Sequence, residues 1–486
     1  MPTAAFTTLG CKVNQYETQR ILDSFEERGF TITEFNAPAD IYFINTCSVT
    51  QAAERKSRQM VRKAARQNPN AIVVMTGCYA EMSEMKQEIV EEATLIVPNH
   101  LKMETLDYLL DARPELKSSL DRPVQSPPSQ TYRRRTRATV KVQDGCDVFC
   151  TFCSIPYTRK IMRSRPIEEV ISEAEALAEN GYKELVITGV LVGAYGQARG
   201  EGWSEKRDYL RPDLSDLLLR LAQVEGIQRV RLSSIEPTQV TDRLLDAFSV
   251  EPRLCPHLHI PLQSGDSGIL RAMNRPYEQE FYLERCFTAL ERIPDLAITS
   301  DIMVGFPGED QSAFEQTLSV VQKVGFARAH IFRYSSRPNT PAALLPDHVS
   351  EEEKEARSHE LANLCRRTQQ SFINHSLGKV MEVLVEGRMK NNLPGQQEGA
   401  GGNDGHISVA IQANVDPEIL LSGYTGNYIR VQFTGGSHLI GSLTPVKLLE
   451  PCTDGAIGEA GGAHFTDQEA PPDADFIPLA TLAAIL

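Results

Sequence analysis

The stretch 138–189, ATVKVQDGCDVFCTFCSIPYTRKIMRSRPIEEVISEAEALAENGYKELVITG, sets the frame for everything around it. It opens on the strand-like run ATVKV, turns through a glycine, and carries Cys146, Cys150 and Cys153 at C-x3-C-x2-C spacing. PIEEVISEAEALAENGY then repeats apolar residues at helical period, and ELVIT returns to strand character. The same alternation continues through RVRLSSI (229–235), HLHIPL (257–262), LAITSDIMVGF (296–306) and RAHIFRYS (328–335). Six strands joined by helices predict a parallel (β/α) barrel or its open six-stranded form.

Upstream, one local arrangement occurs three times. AAFTTLGC ends at Cys11, DIYFINTC at Cys47 and AIVVMTGC at Cys78: a strand, a polar or glycine turn, then cysteine. If the strands are parallel their carboxyl ends share one edge, so the three thiols converge there. Buried cysteine often acts as a small hydrophobe, yet three in equivalent positions point to a shared task. A closed structural zinc site takes four ligands. Three thiolates leave one metal position open, which suits a cluster with one exchangeable iron.

The C-x3-C-x2-C loop has the same property. Its next cysteine, Cys255, lies about a hundred residues on, and the spacing is not that of a zinc knuckle. Three thiolates again hold a four-iron cluster with one free iron. Cys255, Cys286, Cys365 and Cys452 have no partner pattern and read as structural, and His257 and His259 as core or polar-contact residues.

At 486 residues the chain exceeds one core. The expected layout is α/β: a parallel-sheet domain over 1–125, the six-stranded barrel over 132–375, a small antiparallel β-barrel over 376–450, and an acidic, disordered tail over 451–486. The Pro/Ser-rich segment ARPELKSSLDRPVQSPPSQ reads as the first linker. VMEVLVEG, HISVAI, YIRVQF and LIGSLTPVKLLE read as the strands of the last barrel. Net charge is −14, with six of the acids and no Lys or Arg in 451–486. No long apolar run and no leader pattern stand in the sequence, so the expectation is a cytoplasmic protein without a membrane span. Ten cysteines in such a chain favour metal or redox chemistry over disulfides.

The cysteine loop, with Phe152 before its third cysteine, is identified as the motif of the radical S-adenosylmethionine enzymes. The whole pattern resembles the MiaB/RimO/MtaB methylthiotransferase group from about residue 3 to 450, through GCDVFCTFCSIPYTRK, TGVLVGAYG, RLSSIEP, HLHIPLQSG and DIMVGFPGE, with YTGNYIRVQF and LIGSLTPVKL resembling a TRAM module. GCKVNQYET and INTCSVT resemble the MtaB branch. The resemblance implies two 4Fe-4S clusters, an auxiliary one on Cys11, Cys47 and Cys78 and a radical one on Cys146, Cys150 and Cys153, together with S-adenosylmethionine. It implies methylthiolation of carbon 2 of threonylcarbamoyladenosine at position 37 of tRNA. Isopentenyladenosine is the MiaB-like alternative and a ribosomal-protein aspartate the RimO-like one. One S-adenosylmethionine would methylate a sulfur and a second would be cleaved to a radical, since an sp2 C–H bond resists acid–base chemistry. An electron-donor protein is implied as well.

Candidate cofactor contacts are Phe152, Gly189, Gly193, Glu236 and Gln263, the last four at strand ends where barrel sites form. Candidate RNA contacts are Arg133, Arg134, Arg135, Arg137 and Lys141 near the linker, and Arg55, Arg58 and Arg62 with Arg66 at helical spacing after Cys47. Lys160, Tyr157 and Leu191 depart from the group's usual Gly, Trp and polar residue. Two rivals stand beside this reading: an RNA-binding protein with two structural metal sites, and a radical enzyme with a single cluster.

Overall fold

The computed structural model describes residues 1–87, 90–119, 136–197, 213–337, 340–389 and 418–461. The chain divides into two compact units, Met1–Gln369 and Gln370–Leu486.

The first unit begins with β1 (Thr3–Thr8), β2 (Thr31–Thr33), β3 (Ile41–Thr46), β4 (Ile72–Gly77) and β5 (Leu95–Ile96), an all-parallel sheet in the order β2-β1-β3-β4-β5. Strand β3, IYFINT, is buried at every position, as a central parallel strand covered on both faces must be. Phe6, Phe25 and Phe43 fill one side of the sheet, and Tyr42, Ile44 and Val61 the other. Register pairs Thr8 with Asn45 and Thr46 with Gly77, so the three strands preceding the cysteines end together.

The same unit continues with β6 (Arg137–Asp144), β7 (Arg163–Ser164), β8 (Glu184–Gly189), β9 (Arg229–Leu232), β10 (His257–His259), β11 (Ala297–Val304) and β12 (Arg328–Arg333). All six expected strands are present. They form two sheets, β7-β6-β8-β9 and β10-β11-β12, and an isolated Ser234–His259 bridge continues the arc between them. Short β7 was not anticipated; it pairs antiparallel with β6. Val140, Ile187, Val230, Leu258 and Ile298 bury one face of the arc with the helices. Alternation gives the opposite face Gln143, Thr188, Ser233, His259 and Asp301.

In the second unit β13 (Val380–Arg388), β14 (Ile419–Thr425), β15 (Arg430–Gly435), β16 (Leu443–Cys452) and β17 (Gly455–Ala460) close a five-stranded barrel, β13-β14-β15-β17-β16. Two expectations change here. The barrel is not wholly antiparallel, because β15 and β17 pair in parallel. Strand β17 also takes residues assigned to the tail. Its small residues read as tail composition, but they are what close approach requires: a Cβ on Gly458 would come 2.5 Å from Val446 Cγ1. Strand β14 was missed outright. The expected HISVAI strand and the tail from 462 onward lie outside the described residues, as does most of the first linker, whose opening forms a short helix, Glu115–Ser119. No helix among the described residues is long and apolar enough to cross a membrane.

Candidate active site

Each N-terminal cysteine occupies a strand-to-helix turn. Cys11 precedes the helix Lys12–Glu27, Cys47 follows β3 just ahead of the helix Gln51–Gln67, and Cys78 opens the helix Cys78–Met85. Gly10 has φ +101°, and a Cβ there would come 2.8 Å from Cys47 Sγ. Gly77 has φ +98°, and a side chain there would strike the Thr46 carbonyl and Asn45 Oδ1. Only glycine meets both demands. Asn14 Nδ2 donates to the carbonyls of Leu9 at 2.8 Å and Thr46 at 3.0 Å, tying the first two turns together. Thr46 Oγ1 accepts from Ala80 N at 3.1 Å and donates to the Thr76 carbonyl at 2.5 Å, adding the third.

Cys11 is exposed, while Cys47 and Cys78 are buried. Burial pushes the Cys47 thiol up to about 11; Val49 N–H, 3.4 Å from its sulfur, opposes the rise, and Cys78 and Cys11 add to it. The Cys47 sulfur therefore feels the other two.

In the central loop Asn274 Nδ2 donates to the Val148 and Phe149 carbonyls, both at 3.0 Å, and Thr151 N donates to the Met273 carbonyl at 3.0 Å. Burial pushes Cys146 up to about 12 and Cys153 up to about 11, with the neighbouring cysteines adding to each. Ile155 N–H donates to Cys153 Sγ at 3.4 Å. Arg275 Nη1 donates to Cys150 Sγ at 3.0 Å, Nε reaches Tyr277 Oη at 3.2 Å, and Nη2 pairs with Glu236. Burial raises the Glu236 carboxyl and Arg275 offsets this in part.

The two loops meet. Ser48 and Ser154, each following a cysteine, lie Oγ to Oγ at 3.4 Å. Deeper in, Glu17 accepts from Lys102 at 2.7 Å, from Lys141 at 2.5 Å and from Arg159 at 2.8 Å. Burial alone would raise this carboxyl, but the three cations outweigh it and hold it well below the carboxylate range. Arg159 also reaches Asn14 Oδ1 at 2.9 Å and Asp144 Oδ1 at 2.7 Å.

Among the described residues no three His, Cys, Asp or Glu side chains close on one point as a single ion requires. In a polynuclear cluster each thiolate binds its own iron, so wider triads suit it. The raised pKa values of Cys47, Cys146, Cys150 and Cys153 fit the same donor set, because a thiolate withdrawn from water needs a metal's positive charge to stay ionised. N–H donors on Cys47, Cys150 and Cys153 are the kind of contact that tunes cluster potential.

Other expected residues fall as follows. Phe152 packs its ring on Phe306, centroids 6.4 Å apart. Gly189 and Gly193 lie at the β8 end, where Gln143 and Gln239 occupy the space a Cβ would take. Gln263, φ +62°, bridges to Ile302 at the arc's inner edge. Lys141 is engaged by Glu17 and Asp144 in a largely buried network. Arg137 begins β6, half-buried, with Glu184 in its field. Arg55 is exposed; Arg58 lies over Tyr79, and Arg62 pairs with Glu92 at 3.0 Å. Arg133, Arg134 and Arg135 lie outside the described residues. Arg275, Gln143 and Arg337 were missed, having no motif of their own. Gln143 Nε2 donates to the Gly145 carbonyl at 2.9 Å and its Oε1 accepts from Leu191 N at 2.7 Å.

Comparison with known proteins places this geometry. The family described as "Uncharacterized protein family UPF0004" matches residues 3–97, and the radical SAM superfamily matches residues 140–321. A threonylcarbamoyladenosine tRNA methylthiotransferase, MtaB, of Bacillus subtilis is 36% identical, covering 93% of this chain and 94% of that protein. Its Thermotoga maritima counterpart is 37% identical over 82% of this chain and 90% of its own length. A tRNA-2-methylthio-N(6)-dimethylallyladenosine synthase of Syntrophomonas wolfei is 35% identical, covering 93% and 96%. Among solved structures, the radical S-adenosylmethionine methyltransferase TsrM of Kitasatospora setae superposes with TM-score 0.52 at 14% identity, over 71% of this chain and 75% of that one, a likeness of fold.

Proposed function

The chain belongs to the tRNA methylthiotransferases of the radical S-adenosylmethionine superfamily, and on that footing we propose that it adds a methylthio group to carbon 2 of threonylcarbamoyladenosine at position 37 of tRNA. The observation that carries this reading is the Ser48–Ser154 contact, which brings the loop after Cys47 against the loop after Cys153. A sulfur donor and a radical source must reach the same carbon, and adjoining triads allow it.

In this reading Cys11, Cys47 and Cys78 hold an auxiliary 4Fe-4S cluster, and Cys146, Cys150 and Cys153 hold the cluster that works with S-adenosylmethionine. When bound, these groups supply a transferable sulfur and an oxidising carbon-centred radical. The protein's own part is placement. Arg275 orients Cys150 and is itself held by Glu236, while Gln143 fastens the cysteine loop to the loop after β8. With the Phe152 ring on Phe306, its backbone is the part left to meet the adenine of S-adenosylmethionine. Gly189, Gly193 and Gln263 complete the rim where that ligand sits.

For RNA, Arg55, Arg62 and Arg66 face outward from the helix after Cys47, and phosphate contacts there give affinity without sequence information. Arg133, Arg134 and Arg135, outside the described residues, are the further candidates for phosphate contact. The C-terminal barrel acts as a TRAM-like RNA-binding module. The functional divisions are 1–125, 132–375 and a barrel running to about residue 460, in a cytoplasmic enzyme fed by an electron-donor protein.

The test is an anaerobic reaction of the reconstituted enzyme with S-adenosylmethionine, a reductant and anticodon stem-loops. Mass spectrometry should show methylthiolation of the stem-loop carrying threonylcarbamoyladenosine and none on one carrying dimethylallyladenosine. The reverse pattern assigns the chain to the other branch.

A further inference from the structure

At the end of the arc opposite β6, strands β10, β11 and β12 run parallel. Their register sets His259 beside Thr299, Thr299 beside Arg328 and Asp301 beside His330. The alternate residues Leu258, Ile298, Ile302, Ala329 and Ile331 pack into the core with the helices, so these polar side chains share the inner face. Thr299 Oγ1 lies 2.9 Å from His259 Nδ1, and His259 Nε2 lies 3.4 Å from Asp301 Oδ1. The rings of His259 and His330 stand 6.3 Å apart between centroids.

Positive charge outweighs negative on this patch. Asp301 supplies its carboxylate, against the guanidinium of Arg328 and two imidazoles. Among the described residues the half-buried Arg328 guanidinium has no ion pair or hydrogen bond, and the His330 ring nitrogens have no hydrogen-bond partner. Burial holds the His330 imidazole below its ordinary range; Asp301 opposes this, and Arg328 and His259 add to it. A guanidinium partly withdrawn from water and lacking a counter-ion is arranged to receive a carboxylate, which it grips with two parallel N–H groups.

The nucleoside proposed above offers such a group. Its threonyl substituent on N6 carries one carboxylate and one hydroxyl, whereas a dimethylallyl substituent carries neither. Carbon 2 and the carbon bearing N6 flank the same ring nitrogen, so a base that meets the triads with carbon 2 turns its N6 substituent aside, along the arc. We propose that Arg328, Asp301 and His330 select the substrate by its N6 substituent: Arg328 and His330 donate to the threonyl carboxylate, and Asp301, held by His259, accepts from the hydroxyl. An apolar substituent would leave these groups without partners, which is how a polar site rejects an analogue. The proposal rests on the substrate reading given above.

The experiment measures kcat/KM of the reconstituted full-length enzyme, wild type and Arg328→Gln, on two anticodon stem-loops. One carries threonylcarbamoyladenosine and the other its methyl ester, which keeps the hydroxyl and removes the charge. Expected for wild type is a roughly 10- to 100-fold preference for the acid, the worth of a charge-assisted hydrogen bond. Arg328→Gln should load iron as wild type does and use acid and ester about equally. A wild type indifferent between the two overturns the proposal without any variant. So does an Arg328→Gln enzyme that is slower on both yet keeps the wild-type preference, because Arg328 would then act on the fold and not on the carboxylate. Should Arg328→Gln fail to load iron, Arg328→Met is read against the same outcomes. A wild type that modifies only a dimethylallyladenosine stem-loop defeats the substrate reading instead, whereas one that modifies threonylcarbamoyladenosine and its ester alike defeats only this proposal.

Discussion

Arg159 Nη2 donates to Glu17 Oε2 at 2.8 Å, and both side chains are almost fully buried. Glu17 lies on the helix that follows Cys11, and Arg159 lies six residues after Cys153. The pair therefore locks the first cysteine turn of the N-terminal sheet to the last cysteine of the central loop. Lys102 and Lys141 share the same carboxylate, which leaves Glu17 as the hub of the seam.

Glu17→Gln removes the carboxylate that Lys102, Lys141 and Arg159 share, leaving Asp144 to the last two, and breaking a buried ion pair from one side costs about 3–5 kcal/mol. Expected is a large loss of stability in chemical denaturation. Methylthiolation should fall further than cleavage of S-adenosylmethionine, because the seam sets one site against the other while the central loop keeps its own supports.

The same carboxyl gives a pH dependence of defined sign. Its folded-state pKa is depressed, so its stabilisation is complete above the unfolded value, about 4.3 for Glu, and is lost as pH falls through the folded value. The stability difference between wild type and Glu17→Gln should stay level from neutral pH down to about 5 and shrink below roughly 4. A difference that grows on acidification would contradict the ion-pair account.

Gly10→Ala puts a Cβ against Cys47 Sγ in a left-handed backbone conformation. Strain of this kind costs about 1–3 kcal/mol. Iron analysis should show roughly four irons per chain in place of about eight, as one of two four-iron clusters is lost. Cleavage of S-adenosylmethionine should survive.

Arg275→Gln withdraws a charged donor from Cys150 Sγ. The central cluster should become harder to reduce, since loss of a donor to sulfur stabilises the oxidised form. Redox titration should find its midpoint shifted to more negative potential, with the auxiliary cluster little changed.

The strand-turn-cysteine repeat and the C-x3-C-x2-C loop were legible because period, turn glycine and cysteine each act locally. The six strands of the arc followed from alternation with helical segments, and all six are there. Glu17 was legible in principle: with Val13 and Ile21 four residues to either side, it sits on the buried face of its helix, and an acid there demands a partner. At Lys141 charge in sequence reads as surface, whereas Glu17, which draws it inward, lies more than a hundred residues away. Arg275 and Arg337 act through folding alone, touching cysteine loops distant in sequence. Strand β17 was hidden by composition, since small residues serve tails and tight barrel closures alike.

The central claim is tested most directly by mass spectrometry of tRNA nucleosides from cells lacking this gene. The expected result is loss of 2-methylthio-threonylcarbamoyladenosine with accumulation of threonylcarbamoyladenosine, restored by the wild-type chain and not by Cys11→Ala. Persistence of that nucleoside with loss of its dimethylallyl counterpart would contradict the substrate, and restoration by Cys11→Ala would contradict the role of the N-terminal triad.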